Sequence, residues 1–142
     1  MFYIGFVSAP RVNEEGWPHA MGLLTLGDAQ ESFEADLREW TTADYEAQWR
    51  EGIARLASGT PSSALITSYG GRGGITGMWP IWREGATAYL QERLIVPGET
   101  GPPFNPERPY EQVGVRRTAS EDGAISEWAL PLGQLLAFVL EG

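Results

Sequence analysis

Residues 120–132 read SEDGAISEWALPL and set three carboxylates, Glu121, Asp122 and Glu127, around Trp128. Two acids beside an aromatic ring are the minimum equipment of a glycosidase, where one carboxyl group protonates the leaving oxygen and the other supports attack. The same residues also suit an acidic surface made for contact. The chain holds 19 Asp and Glu residues, so some suggestive pair arises by number alone. There is one histidine, His19, between Pro18 and Ala20, and there is no cysteine. Thiolate chemistry and a disulfide framework are therefore excluded. A zinc site would need ligands beyond one imidazole, so no metal is expected. No G-x-S-x-G elbow accompanies His19, which reads as a surface histidine. The GGRGG run at 70–74 lacks the lysine and the following helix of a phosphate-binding loop. It reads as a mobile connection, and no cofactor is expected.

Charge narrows the class of partner. The net charge is −9, and every basic side chain is arginine. Such a chain repels nucleic acid phosphates and attracts a basic partner, whose encounter it accelerates. No apolar stretch approaches the length of a membrane span, and the N-terminal apolar run has no basic residue before Arg11. A cytoplasmic protein with no membrane partner is expected, folded as a single domain over residues 1–142.

The elements that must position these groups follow from periodicity. Residues 2–7 and 20–26 read as strands, with a loop over 8–19 marked by Pro10, Asn13, Gly16 and Pro18. Residues 31–37 alternate, with Phe33, Ala35 and Leu37 on one face and Glu34 and Asp36 on the other. A helix follows: Thr41 and Asp44 approximate a capping box, Tyr45, Trp49, Ile53 and Leu56 form one apolar stripe, and Gly59 with Pro61 ends it. Glu46–Arg50 and Glu51–Arg55 are spaced for i,i+4 pairs on the outer side. Residues 63–69 read as a strand, and 77–84 with 86–95 as a hairpin about Glu84-Gly85. Pro80 predicts an edge position or a bulge there. Residues 97–109 hold five prolines and form a loop. Residues 113–119 and 124–130 are expected to pair through a turn at Glu121-Asp122-Gly123, before a C-terminal helix that begins near Pro131. The fold class is α+β: a twisted, mainly antiparallel sheet with one central helix and a C-terminal helix.

Two features remain as candidate contact surface. Between Asp28 and Glu51 there are eight carboxylates against Arg38 and Arg50. Of the six tryptophans, Trp40, Trp49 and Trp128 fall where a core needs bulk. Trp17 and one of Trp79 and Trp82 are candidates for exposure, and an exposed Trp among acids is a familiar interface anchor.

The order of motifs resembles the immunity proteins of contact-dependent growth inhibition, the antidotes carried with polymorphic bacterial toxins. The matching residues are Leu37-x-x-Trp40, Asp44-Tyr45-x-x-Gln48-Trp49, Ser63-Ala64-Leu65, Trp79-x-x-Trp82-x-Glu84 and Tyr89-x-Gln91. Arg117-Thr118, Asp122-Gly123, Ile125-Ser126-Glu127-Trp128 and Leu132 complete the set. The resemblance covers roughly residues 31–136. Tyr often stands in the family where this chain has Trp82, and Asn where it has Glu92. The resemblance implies a twisted antiparallel sheet with helices, and a binding protein without catalysis. Its partner would be a cognate toxin C-terminal domain, frequently a nuclease. A nuclease must be basic to hold phosphates, which agrees with the acidic charge. Since such a shared motif would serve different toxins, Trp128 is expected in the core and Glu127 in a local structural contact. The toxin-binding residues expected are Glu31, Glu34, Asp36, Glu39 and Glu46, with Glu121, Asp122 and Trp82. A small carboxylate-dependent cytoplasmic enzyme is the alternative, and it would need a pocket holding an acid pair with displaced pKa values. An adaptor or single-stranded nucleic acid binder built on a sheet is a third reading, disfavoured for nucleic acid by the charge.

Overall fold

The computed structural model describes residues 1–99 and 101–141. In chain order the elements are β1 (Phe2–Phe6), β2 (Arg11–Val12), β3 (Pro18–Leu26), β4 (Ala29–Asp36), α1 (Thr42–Ala57), β5 (Ser62–Tyr69), β6 (Thr76–Glu84), β7 (Thr87–Leu90), β8 (Arg93–Ile95), β9 (Ala119–Ser120), β10 (Gly123–Ala124), β11 (Trp128–Pro131) and α2 (Leu132–Glu141). The α+β expectation holds, and every described strand pair is antiparallel. The strands divide between two open sheets and a small ribbon. The first sheet has β3 at its centre, with β1 and β2 along one side and β4 along the other. The second runs β11-β7-β6-β5, with β8 continuing beside β6.

Helix α1 ties the two sheets together. Its start is the anticipated capping box: the Thr41 hydroxyl accepts from the Asp44 amide at 3.1 Å, and the Asp44 carboxylate accepts from the Thr41 amide at 2.8 Å. The stripe of Tyr45, Trp49, Ile53 and Leu56 is buried. Trp49 packs against Phe6 and Phe33 of the first sheet, with ring centroids 5.1 and 5.9 Å away. A second set of contacts is polar and reaches the backbone of β5. Strand β5 pairs with β6 on one side only, so its other side carries amides and carbonyls with no strand to meet. Gln48 donates to the Ala64 carbonyl at 2.8 Å and accepts from the Ile66 amide at 2.7 Å. The Trp49 indole donates to the Ile66 carbonyl at 2.7 Å. The Tyr45 hydroxyl accepts from the Tyr69 amide at 2.8 Å and donates to the Asp36 carbonyl at 2.6 Å, joining β5 to β4. Ser63 returns a bond to the Gly52 carbonyl at 2.6 Å. This approach requires glycine at 52, because a Cβ there would strike the Ala64 carbonyl oxygen.

The hairpin about Glu84-Gly85 forms as expected, with Glu84 opposite Thr87 and Gly85 in the left-handed region. Pro80 corrects the expectation of an edge strand: β6 lies inside the sheet, with β5 on one side and β7 and β8 on the other. Register runs on without a slip from Ile81↔Leu90 to Met78↔Arg93. The Gln91 amide donates to the Pro80 carbonyl at 3.2 Å, and proline has no N–H to return. One missing hydrogen bond thus divides a single strand into β7 and β8. The C-terminal hairpin is also corrected. Only Ala119–Ser120 and Gly123–Ala124 pair about Glu121-Asp122, whereas Trp128–Pro131 pairs with Thr87–Leu90 of β7. The loop assigned to 8–19 contains β2 and the start of β3. The proline-rich segment is anchored by buried Phe104, whose ring lies 5.5 Å from that of Tyr69. Gln112 adds a bond to the Pro102 carbonyl at 2.7 Å.

Replacing Gln48 with alanine strands the Ile66 amide and the Ala64 carbonyl at a buried edge. The expected loss is about 2–4 kcal/mol of unfolding free energy, measured by urea denaturation. A change below about 0.5 kcal/mol would show that water takes over both groups.

Candidate protein-binding surface

The alternation along β4 sorts the expected acidic residues. Glu34 and Asp36 share a face with Ser32, and Glu31 falls on the opposite face with Phe33 and Ala35. Glu34 is exposed and lies 3.9 Å from the His19 Nδ1. His19 itself is in β3, opposite Asp36, and half-buried rather than in a surface loop. Asp36 is committed to Arg38, whose guanidinium approaches its carboxylate to 2.6 Å and whose backbone amide donates to it at 2.9 Å. Burial raises the Asp36 pKa, but these bonds outweigh it and the carboxyl stays below its ordinary value. Arg38 in turn lies over the ring of Trp17, 3.6 Å from its centroid. Trp17 remains 42% exposed. Glu39 lies beside Gly71 at the GGRGG turn, and Glu46 is exposed on α1. Its spacing to Arg50 produces no ion pair among those described, and Arg55 instead covers the Tyr110 ring at 3.9 Å. Glu121 and Asp122 are exposed in the β9–β10 turn. Trp82 is 6% exposed and donates its indole N–H to the Gly114 carbonyl at 2.9 Å. It is a core side chain, like Trp79, and offers no anchor to a partner.

A groove of about 590 Å³ runs beside this face. Ser32, Glu34 and Asp36 of β4 line it, together with Trp17 and Arg38. Thr67, Ile75, Gly77, Glu92 and Leu94 line it as well. Ile75 and Leu94 are 55% and 58% exposed. Neither stands out in the sequence. Ile75 directly precedes β6, and Leu94 lies in β8, beyond the end of β7.

Glu127, from the opening cluster of acids, is structural as expected. It accepts from Arg116 at 2.5 and 2.8 Å and from Gln91 at 2.8 Å. Arg116 also meets Glu84 at 2.8 Å and covers the Tyr89 ring at 3.6 Å. Trp128 packs on Trp79, with centroids 5.2 Å apart. The Arg116 bonds hold the Glu127 carboxyl below its ordinary value against the opposing effect of burial, with Gln91 assisting. Among the described residues no cluster of His, Cys, Asp and Glu is arranged to hold a metal. Among the described residues no helix is long and apolar enough to cross a membrane.

The architecture is two antiparallel sheets fastened by one helix, with a groove beside β4 that carries Glu34, Asp36 and Glu92 together with Arg38. Residues 35–138 match the CdiI N-terminal domain model, and the chain belongs to that family. The resemblance to contact-dependent growth inhibition immunity proteins therefore holds at the level of family. The fold is similar to a chain of the CdiA-CT/CdiI toxin and immunity complex from Enterobacter cloacae. The TM-score is 0.85 at 27% identity, covering 99% of this chain and 97% of that one. No curated protein sequence matches.

Because folding lowers the Glu127 pKa, the stabilisation it carries is complete above the ordinary carboxyl value of 4.5. It disappears as pH falls through the lower folded value. Glu127→Gln keeps the size and removes the charge. Its urea midpoint should lie below that of the unaltered chain at pH 7, and the gap should narrow steadily as pH falls below 4.5. A gap that does not change with pH would mean that the charge is not what matters.

Proposed function

We propose that this chain is an immunity protein that binds and neutralises the toxin domain encoded beside it, without catalysis of its own. Full-length similarity to a chain of a toxin and immunity complex carries this reading. The expected partner is a basic, nuclease-type C-terminal toxin domain, met in the cytoplasm. A net charge of −9 supports steering toward such a surface. Glu34, Asp36, Glu39 and Glu46 supply the first contact area, together with Trp17 and the groove beside β4. Glu31, Glu121 and Asp122 act at its margins. A carboxylate-dependent enzyme calls for an acid held protonated near neutral pH, whereas the displaced carboxyl groups, Asp36 and Glu127, are both lowered.

The direct test is co-expression with the C-terminal domain encoded immediately upstream. The chain should restore growth and bind that domain tightly in vitro. Persistent toxicity with no binding would refute the antidote reading. In the same assay, Glu34→Lys combined with Glu46→Lys should slow association about tenfold at low ionic strength, and the difference should shrink in high salt. Unchanged association kinetics would remove these two residues from the steering surface.

A further inference from the structure

Two strand edges approach each other at Asp36 and Ser68, and they are treated differently. The outer edge of β5 is satisfied by Tyr45, Gln48 and Trp49. On β4, hydrogen-bonding direction alternates by residue. The Leu37 amide donates inward to the Pro18 carbonyl of β3, so odd-numbered residues face β3 and even-numbered ones face away. Asp36 is even-numbered, and its outward groups are both used, the amide by the Ser68 hydroxyl at 3.2 Å and the carbonyl by Tyr45. The outward amides and carbonyls of Gln30, Ser32 and Glu34 have no partner among the described residues, and all three residues are exposed. The outward-facing residues Phe2 and Ile4 at the corresponding edge of β1 are buried. The open stretch of β4 borders the groove that holds exposed Ile75 and Leu94, and exposed Glu34 and Glu92 also line it.

We infer that this edge takes an extra strand: an extended, basic segment of the toxin domain pairs with Gln30, Ser32 and Glu34. Alternate side chains of that segment enter the groove. Main-chain pairing supplies affinity and the groove supplies choice of side chain. An arginine or lysine beside an apolar residue fits a groove lined by the Glu34 and Glu92 carboxylates and by Ile75 and Leu94. A second copy of this chain fits less well, because each copy carries a net charge of −9 and two such surfaces repel. This inference rests on the antidote reading.

The test uses the upstream-encoded toxin domain as probe. Ser32→Pro removes the central outward N–H at a position where an edge strand tolerates proline, and Ser32→Ala keeps it. Proline should weaken binding about ten- to a hundredfold, and alanine less than about twofold. Amide exchange of the unaltered chain gives a reading that needs no variant: Gln30, Ser32 and Glu34 should become protected when the toxin domain binds. Normal binding by a folded Ser32→Pro chain, or binding without that protection, overturns strand addition and leaves the antidote reading standing. Failure of the unaltered chain to bind overturns both. Concentration-dependent protection without the toxin domain would give the edge to a second copy and overturn the proposed partner.

Discussion

The structure depends on one constraint: strand β5 pairs on one side only, and its other side must be satisfied without a strand. A buried amide or carbonyl left unpaired costs about 1–3 kcal/mol, and this edge presents several. Helix α1 resolves the problem with side chains. Tyr45, Gln48 and Trp49 lie along one face of the helix, three and four residues apart, and each reaches a backbone group of β5. The same residues that build the apolar stripe therefore fix the height of the helix over the sheet. Gly52 allows the approach, and the hydroxyl of Tyr45 carries the connection on to β4. Burial pushes the Tyr45 phenol well above its ordinary pKa, which keeps it a neutral donor and acceptor.

From this constraint follows a division of labour between motif and surface. Asp44, Tyr45, Gln48 and Trp49 start the helix and seal one edge. Tyr89, Gln91, Glu127 and Trp128 lock β11 and the segment before it onto β7. Such contacts specify a scaffold and say nothing of the partner. Among the described residues, the groups left over are an unpaired edge on β4, carboxylates on its outward face and the exposed apolar side chains of Ile75 and Leu94.

Much of this order was legible in the chain because it is local. The Thr41–Asp44 cap, the helical stripe, the Glu84-Gly85 turn and the alternation of 31–37 each depend on neighbours within a few residues. What was not legible depends on distant pairing. The turn at Glu121-Asp122 could be read, but nothing near Trp128–Pro131 says that its partner is β7. Pro80 suggested an edge because a missing N–H usually disqualifies a whole strand, whereas here its effect falls on one pair opposite Gln91. Trp82 looked available because proline obscured the phase of its strand. The acidic cluster was legible as charge, but only the strand's alternation separates Glu31 from Glu34 and Asp36. Ile75 and Leu94 are ordinary apolar residues until β6 and β8 place them beside β4.

Amide hydrogen exchange of the free chain tests the central claim most directly, since it reads the two edges residue by residue. If helix side chains seal β5 while β4 stays open, the Ile66 and Tyr69 amides exchange slowly, at rates set by global unfolding. The Gln30, Ser32 and Glu34 amides then exchange close to the rate of an unstructured peptide. Fast exchange at Ile66 and Tyr69, or strong protection at Ser32 and Glu34 in the dilute free chain, would contradict the account.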